Sequence, residues 1–131
     1  MSTRALALAA VVLLATGCGS GGTLSAKALS QESKSLQSLA AEGSLLARVA
    51  NAGKSTRIFT RVHSEDLEKA ASQVAASLQT AKTEPALEPK LRRLASRARK
   101  VSGDLKRLGH ASRDEQRRLA RELEVIAKEL E

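Results

Sequence analysis

Reactive side chains are few in this chain, and the kinds present limit the chemistry it can do. Cys18 is the sole cysteine among 131 residues, so one thiol is available as a nucleophile or acyl acceptor and no intramolecular disulfide can form. Two histidines follow. His63 lies four residues from Phe59 and from Leu67 and three from Asp66, a helical spacing that leans the ring on an apolar face while a carboxylate holds one nitrogen. A metal ion there would draw on Asp66 or Glu65, without the His-x3-His pair that makes a strong helical motif. These residues leave open a structural histidine and, as the alternative, a small-molecule or metal-binding bundle with its site near His63. His110, between Gly109 and Ala111, reads as a turn residue. No Gly-rich phosphate loop and no paired-cysteine motif occurs in the sequence, and with so few convergent groups the chain reads as a non-catalytic protein without a cofactor.

Charge is the stronger signal. The chain holds 22 Lys and Arg against 14 Asp and Glu, a net +8, and the excess is concentrated. Between Pro89 and Ala111 stand eight basic side chains and one acidic one. With Leu91 at heptad position a, Arg92, Arg99 and Lys106 fall at b, and Arg93, Lys100 and Arg107 at c. Both are outward positions of a packed helix, so the six cations are expected as two parallel rows facing away from the seam, flanked by Lys90 and Arg97. Asp104, four residues after Lys100, is the one acid in that segment able to pair with them. One reading is a solvated surface partly offset by Glu122, Glu124, Glu129 and Glu131 on a neighbouring helix. Another is adhesion to anionic lipid or acidic envelope polymer. Nucleic acid is disfavoured, because Phe59 is the single aromatic residue and base stacking has nothing to use.

The start of the chain carries an address. A short charged beginning, Met1 to Arg4, precedes the eleven-residue apolar run Ala5 to Ala15, and then Ala15-Thr16-Gly17-Cys18. As a helix the run spans about 16 Å, against a hydrocarbon core of about 30 Å, so it fits the h-region of an export signal better than a permanent span. Residues 1–18 resemble the signal of a bacterial lipoprotein. The resemblance implies cleavage before Cys18, lipidation of its thiol and residence on the exported side of a membrane. Ala15 stands where such signals usually carry Leu, and Ala15-Thr16-Gly17 also fits an ordinary secretory cleavage site. The Gly- and Ser-rich stretch 18–23 would then be a tether about 12 Å long, holding the domain close to the bilayer. The Ala- and Arg-rich body that follows generally resembles small envelope lipoproteins of high-GC bacteria, a likeness that brings no functional residues with it.

The elements that must position these groups are helices. Leu, Ala, Lys, Arg, Gln and Glu dominate residues 24–131, and β-branched residues are thin outside 55–62. The first helix is expected over about 25–52, with Leu29, Leu36, Leu39, Ala40, Leu46, Ala47 and Ala50 inward and Gly53 as the stop. A second stripe, Ala41, Leu45, Val49 and Ala52, suggests that its latter half sits deepest. The second helix is expected over about 56–82 on Leu67, Ala71, Val74, Leu78 and Ala81, with Ile58 and Val62 out of phase and Ser64 as an alternative start. Pro89 opens the third, 89–108, whose Leu91, Leu94, Ala98, Val101, Leu105 and Leu108 step 3, 4, 3, 4, 3. Ser112 and Glu115 form a capping box for the fourth, 113–130, on Leu119, Leu123, Ile126 and Leu130.

Short loops between such helices imply an all-α, antiparallel, up-down-up-down four-helix bundle in a single domain, 24–131, behind the signal (1–17) and tether (18–23). The function expected is that of a membrane-anchored interaction or structural module, its partners the membrane itself, an acidic polymer or another envelope protein.

Overall fold

Three hydroxyl side chains begin three of the helices. Ser25, Thr56 and Ser112 each adopt an extended backbone and accept a hydrogen bond from the amide three residues on, at Ala28 (3.1 Å), Phe59 (3.1 Å) and Glu115 (3.3 Å). Each such cap satisfies an amide that has no partner within its helix and is worth about 1 kcal/mol. The computed structural model describes residues 22–131; the signal-like segment, Cys18 and most of the expected tether lie outside the described residues. Those described form a mostly helical bundle of four helices: α1 (Ala26–Asn51), α2 (Arg57–Thr80), α3 (Glu88–Leu108) and α4 (Arg113–Glu129).

Two short strands tie one end. β1 (Thr23–Leu24) pairs in parallel with β2 (Lys82–Thr83), and the Thr83 hydroxyl donates to Leu24 O at 2.8 Å. This pairing explains why α2 stops at Thr80 rather than 82: Ala81 is extended (φ −70°, ψ 145°) and carries the chain into the bridge. It also holds the chain as early as Thr23. A turn of 3-10 helix, Pro85–Leu87, then leads into α3, where Pro89 takes the second helical position.

The core is mostly Leu and Ala. Leu29, Leu36, Ala40 and Ala47 of α1, Ala71 of α2, Ala98, Val101 and Leu105 of α3, and Leu119 and Leu123 of α4 have no exposed surface. α1 packs most extensively on α4, and α2 on α3. Gly43 marks the tightest approach: a Cβ built there would lie 2.6 Å from Leu105 Cδ2 and 3.1 Å from Leu123 Cδ1, both on side chains that are themselves fully buried. Any larger residue would have to displace two wedged leucines.

Two details depart from the sequence expectations, and one open point is settled. The second stripe of α1 is not buried: Leu45 is 61% exposed, and Ala41 and Ala52 also face outward. α1 packs on α4, α2 and α3, and of this stripe only Val49 is half-buried. α2 is one continuous helix through 60–66, as expected, with no fresh start at Ser64, and its out-of-phase Ile58 and Val62 are exposed, as is Phe59. The capping box is half formed, because Ser112 caps Glu115 but the Glu115 carboxylate faces Arg118 at 3.5 Å.

Candidate functional site

α3 carries the cations, and its register follows from what it buries. Leu91, Leu94, Ala98, Val101, Leu105 and Leu108 are all buried, so positions a and d face the core along the whole helix. The e flank then meets α2, where the hydroxyls of Ser72 and Ser102 lie 2.8 Å apart and Glu68 accepts from both. The g flank meets α4, where Arg97 pairs with Glu129 at 2.6 Å. Asp104 is also at g, and its carboxylate is 1% exposed.

That burial divides the two expected rows. Lys100 Nζ donates to both oxygens of Asp104 at 3.1 Å and to Glu122 Oε2 of α4 at 2.7 Å. Arg107 donates to Asp104 from the other side and lies 3.8 Å from Glu122. Thus Lys100 and Arg107, placed outward by heptad counting, instead turn along the helix surface toward α4 and sandwich a buried carboxylate. A charge so removed from water is tolerable only when it is paired and hydrogen-bonded. The electrostatics agree on both sides. The hydrogen bond to Glu122 holds the Lys100 ammonium above its usual range, that to Asp104 does the same for Arg107, and Lys100 in turn draws the Glu122 carboxyl below its usual value. Glu124, counted in sequence as a counter-charge to α3, is occupied by Arg48 of α1 and Lys128 of its own helix, which lower its pKa.

The b row remains outward. Arg99 and Lys106 are exposed and make no ion pair among the described residues, and Arg92, 75% exposed, reaches Glu88 on its own helix at 3.4 Å. Exposed pairs of that kind contribute well under about 1 kcal/mol and are easily exchanged for another anion. Between the rows the surface is small: Ser96 and Gly103 are exposed and leave the cations accessible. Arg93, the first member of the c row, is likewise unpaired among the described residues. With Lys34, Lys90 and Arg97 it lines an open cleft of about 520 Å³ that ends at Glu129 and Leu130. This cleft is at the end of α3 next to the bridge between β1 and β2, where the chain enters the bundle.

His63 has a different partner from the one its spacing suggested. Nε2 lies 2.9 Å from Glu42 Oε1 of α1, not against Asp66 or Glu65, and the ring stacks on Phe59 with centroids 5.6 Å apart. The imidazole thus joins α1 to α2 beneath an exposed aromatic ring. Among the described residues no three His, Cys, Asp or Glu side chains come together as a metal site, and no helix is long and apolar enough to cross a membrane. His110 is exposed in the turn between α3 and α4.

Sequence reasoning anticipated the Lys100 and Asp104 pair and the counter-charges Glu122 and Glu129, but missed the burial of Asp104. Its signal was present, because Arg97 and Asp104 share heptad position g and face a helix rich in Glu. Comparison of the chain with protein-family models, with curated proteins and with solved structures finds no match.

Proposed function

We propose that this chain is a lipid-anchored, non-catalytic helical module of a bacterial envelope, tied to the membrane through Cys18 and presenting the b row of α3, Arg92, Arg99 and Lys106, to an anionic surface. That surface is anionic lipid, acidic envelope polymer or the acidic face of another envelope protein. The helices are taken to run up-down-up-down. Side-chain pairs near opposite ends of the bundle support this order: Asn51 with Arg113, and Arg97 with Glu129.

The observation that carries the reading is the division of labour on α3. Lys100 and Arg107 are consumed in holding Asp104, while Arg99 and Lys106 are left without a counter-charge among the described residues. Cations near a charged bilayer each add about 1 kcal/mol, so three acting together give about 3 kcal/mol, or roughly a hundredfold in affinity. A short link from Cys18 to Thr23 would keep the bundle close to the bilayer and raise the effective concentration of the face.

Sedimentation of residues 22–131 with anionic vesicles tests this. Binding is expected at low salt, with steep loss toward about 0.15 M, where exposed charges are screened beyond about 8 Å. The Arg92→Gln, Arg99→Gln, Lys106→Gln triple variant is expected to lose most of it without change in melting temperature. Equal binding by that variant, or none by the parent at low salt, removes the basis of the proposal.

A further inference from the structure

A second cationic feature lies at the far end of α1, about 39 Å along its axis from the bridge at Thr23. There the starts of α2 and α4 meet the turn after α3 around a pocket of about 660 Å³. Arg57 and Arg61 come from the first turns of α2, Arg113 from the first turn of α4, and His110 from the turn between α3 and α4. No Asp or Glu is among the residues lining it. None of the three arginines makes an ion pair among the described residues, although nine other basic side chains do.

Two of those arginines lie against glycines. Gly53 has φ 71°, the left-handed conformation that ends α1, and the Arg113 guanidinium lies over it, 3.8 Å from where a Cβ would be. Gly109 bears the stem of Arg61, 3.7 Å from its own built Cβ. One wall also carries an unused acceptor. Gln116 donates from Nε2 to Ala111 O at 3.4 Å, while its Oε1 is buried without a hydrogen-bond partner. Both helix starts add partial positive charge from unpaired amides.

The geometry points to this pocket as a binding site for a small phosphate monoester that carries a neighbouring hydroxyl. Each guanidinium offers a planar fork of N–H donors. A carboxylate can satisfy one such fork, whereas the three terminal oxygens of a phosphate monoester can meet three, with His110 as a further donor. The ligand hydroxyl supplies the proton that Gln116 Oε1 lacks. The site is distinct from the α3 face, and its position, away from the end at which the chain enters the bundle, favours a free solute over a lipid of the anchoring membrane.

The test titrates the full chain, in detergent, with inorganic phosphate, with sn-glycerol 3-phosphate, and with phosphatidate in mixed micelles, following backbone amide resonances. Both soluble probes are expected to move Gly53, Gly109, His110 and Gln116 and to leave Arg99 unmoved, with glycerol phosphate binding more tightly than phosphate. Arg57→Gln, Arg61→Gln and Arg113→Gln are each expected to weaken it by about ten- to a hundredfold, the loss of one hydrogen-bonded charge. Gln116→Leu should erase the advantage of glycerol phosphate while leaving phosphate itself bound. Saturation by phosphatidate at the same resonances assigns the group to a lipid headgroup instead of a free ester and still upholds the site. Shifts confined to α3, no shift with any probe, or affinities unchanged in the arginine variants overturn the proposal. Because localisation is read on the unaltered chain, a variant that fails to fold does not decide the matter.

Discussion

Asp104 offers the sharpest perturbation of the bundle, since its carboxylate is 1% exposed while the Lys100 and Arg107 side chains holding it are each 46% exposed. Asp104→Asn keeps the volume and removes the charge. It forfeits two charge-assisted contacts worth about 1.5–3 kcal/mol each, but both cations are half in water and recover much of that by solvation. The net expected loss is about 2 kcal/mol. Removing the cations is worse. Lys100→Gln with Arg107→Gln strands the carboxylate in a dry site, a change that costs about 3–5 kcal/mol. Adding Asp104→Asn to that double variant should therefore restore stability rather than lower it further, a coupling that a cycle of urea denaturations reads directly. On a domain of about 5–15 kcal/mol these differences are large. If the cation pair proves no more costly than Asp104→Asn, or if the triple variant is the least stable of all, the two cations do not hold the buried charge and the division between the rows of α3 fails.

Leu105→Ala and Leu94→Ala should each cost about 2–5 kcal/mol, because both side chains are buried and their removal leaves a cavity; denaturation midpoints that hardly move would show that a and d do not face the core. Glu122 gives the pH dependence. Its pKa is lowered from an ordinary 4.5, first by the hydrogen bond from Lys100, so its contribution is complete above that value and is lost as pH falls through the depressed one. Lys100, raised above 10.5 by the same contact, contributes fully below that value and loses its share as pH rises beyond it. Melting temperatures are expected to be insensitive to this pair between those limits and to fall on both sides, with Glu122→Gln flattening the acid limb; an unchanged acid limb in that variant would remove the pair from the account.

The helices were legible because caps and periodicity are local. Ser25, Thr56, Ser112 and the 3, 4, 3, 4, 3 stepping of α3 require no knowledge of distant contacts, and the observed bounds fall within two residues of those expected. Where the reading failed, tertiary packing decided. Leu45 looks like a core residue by type, but it lies on the outer side of α1 and stays in water. Lys82 continues a helical composition yet pairs with Thr23, a partner 59 residues away. Asp104 reads as a surface partner of Lys100; its burial depends on the α4 flank covering position g, which heptad counting along one helix does not reveal. His63 found its carboxylate on α1 for the same reason. Arg57 and Arg61 of the far pocket are neighbours by their i, i+4 spacing on α2, but Arg113 comes from the start of another helix, and no local spacing brings it to them.

The proposed anchoring of the chain at a membrane depends on Cys18, and the mass of the N-terminal peptide from membrane-derived protein tests it most directly. The account predicts a mature chain that begins at Cys18 and carries two or more acyl chains, since one chain alone gives only marginal binding, and a Cys18→Ser variant that leaves the membrane fraction. An unmodified cysteine in the mature protein, or a Cys18→Ser form that stays with the membrane after cleavage, would contradict it.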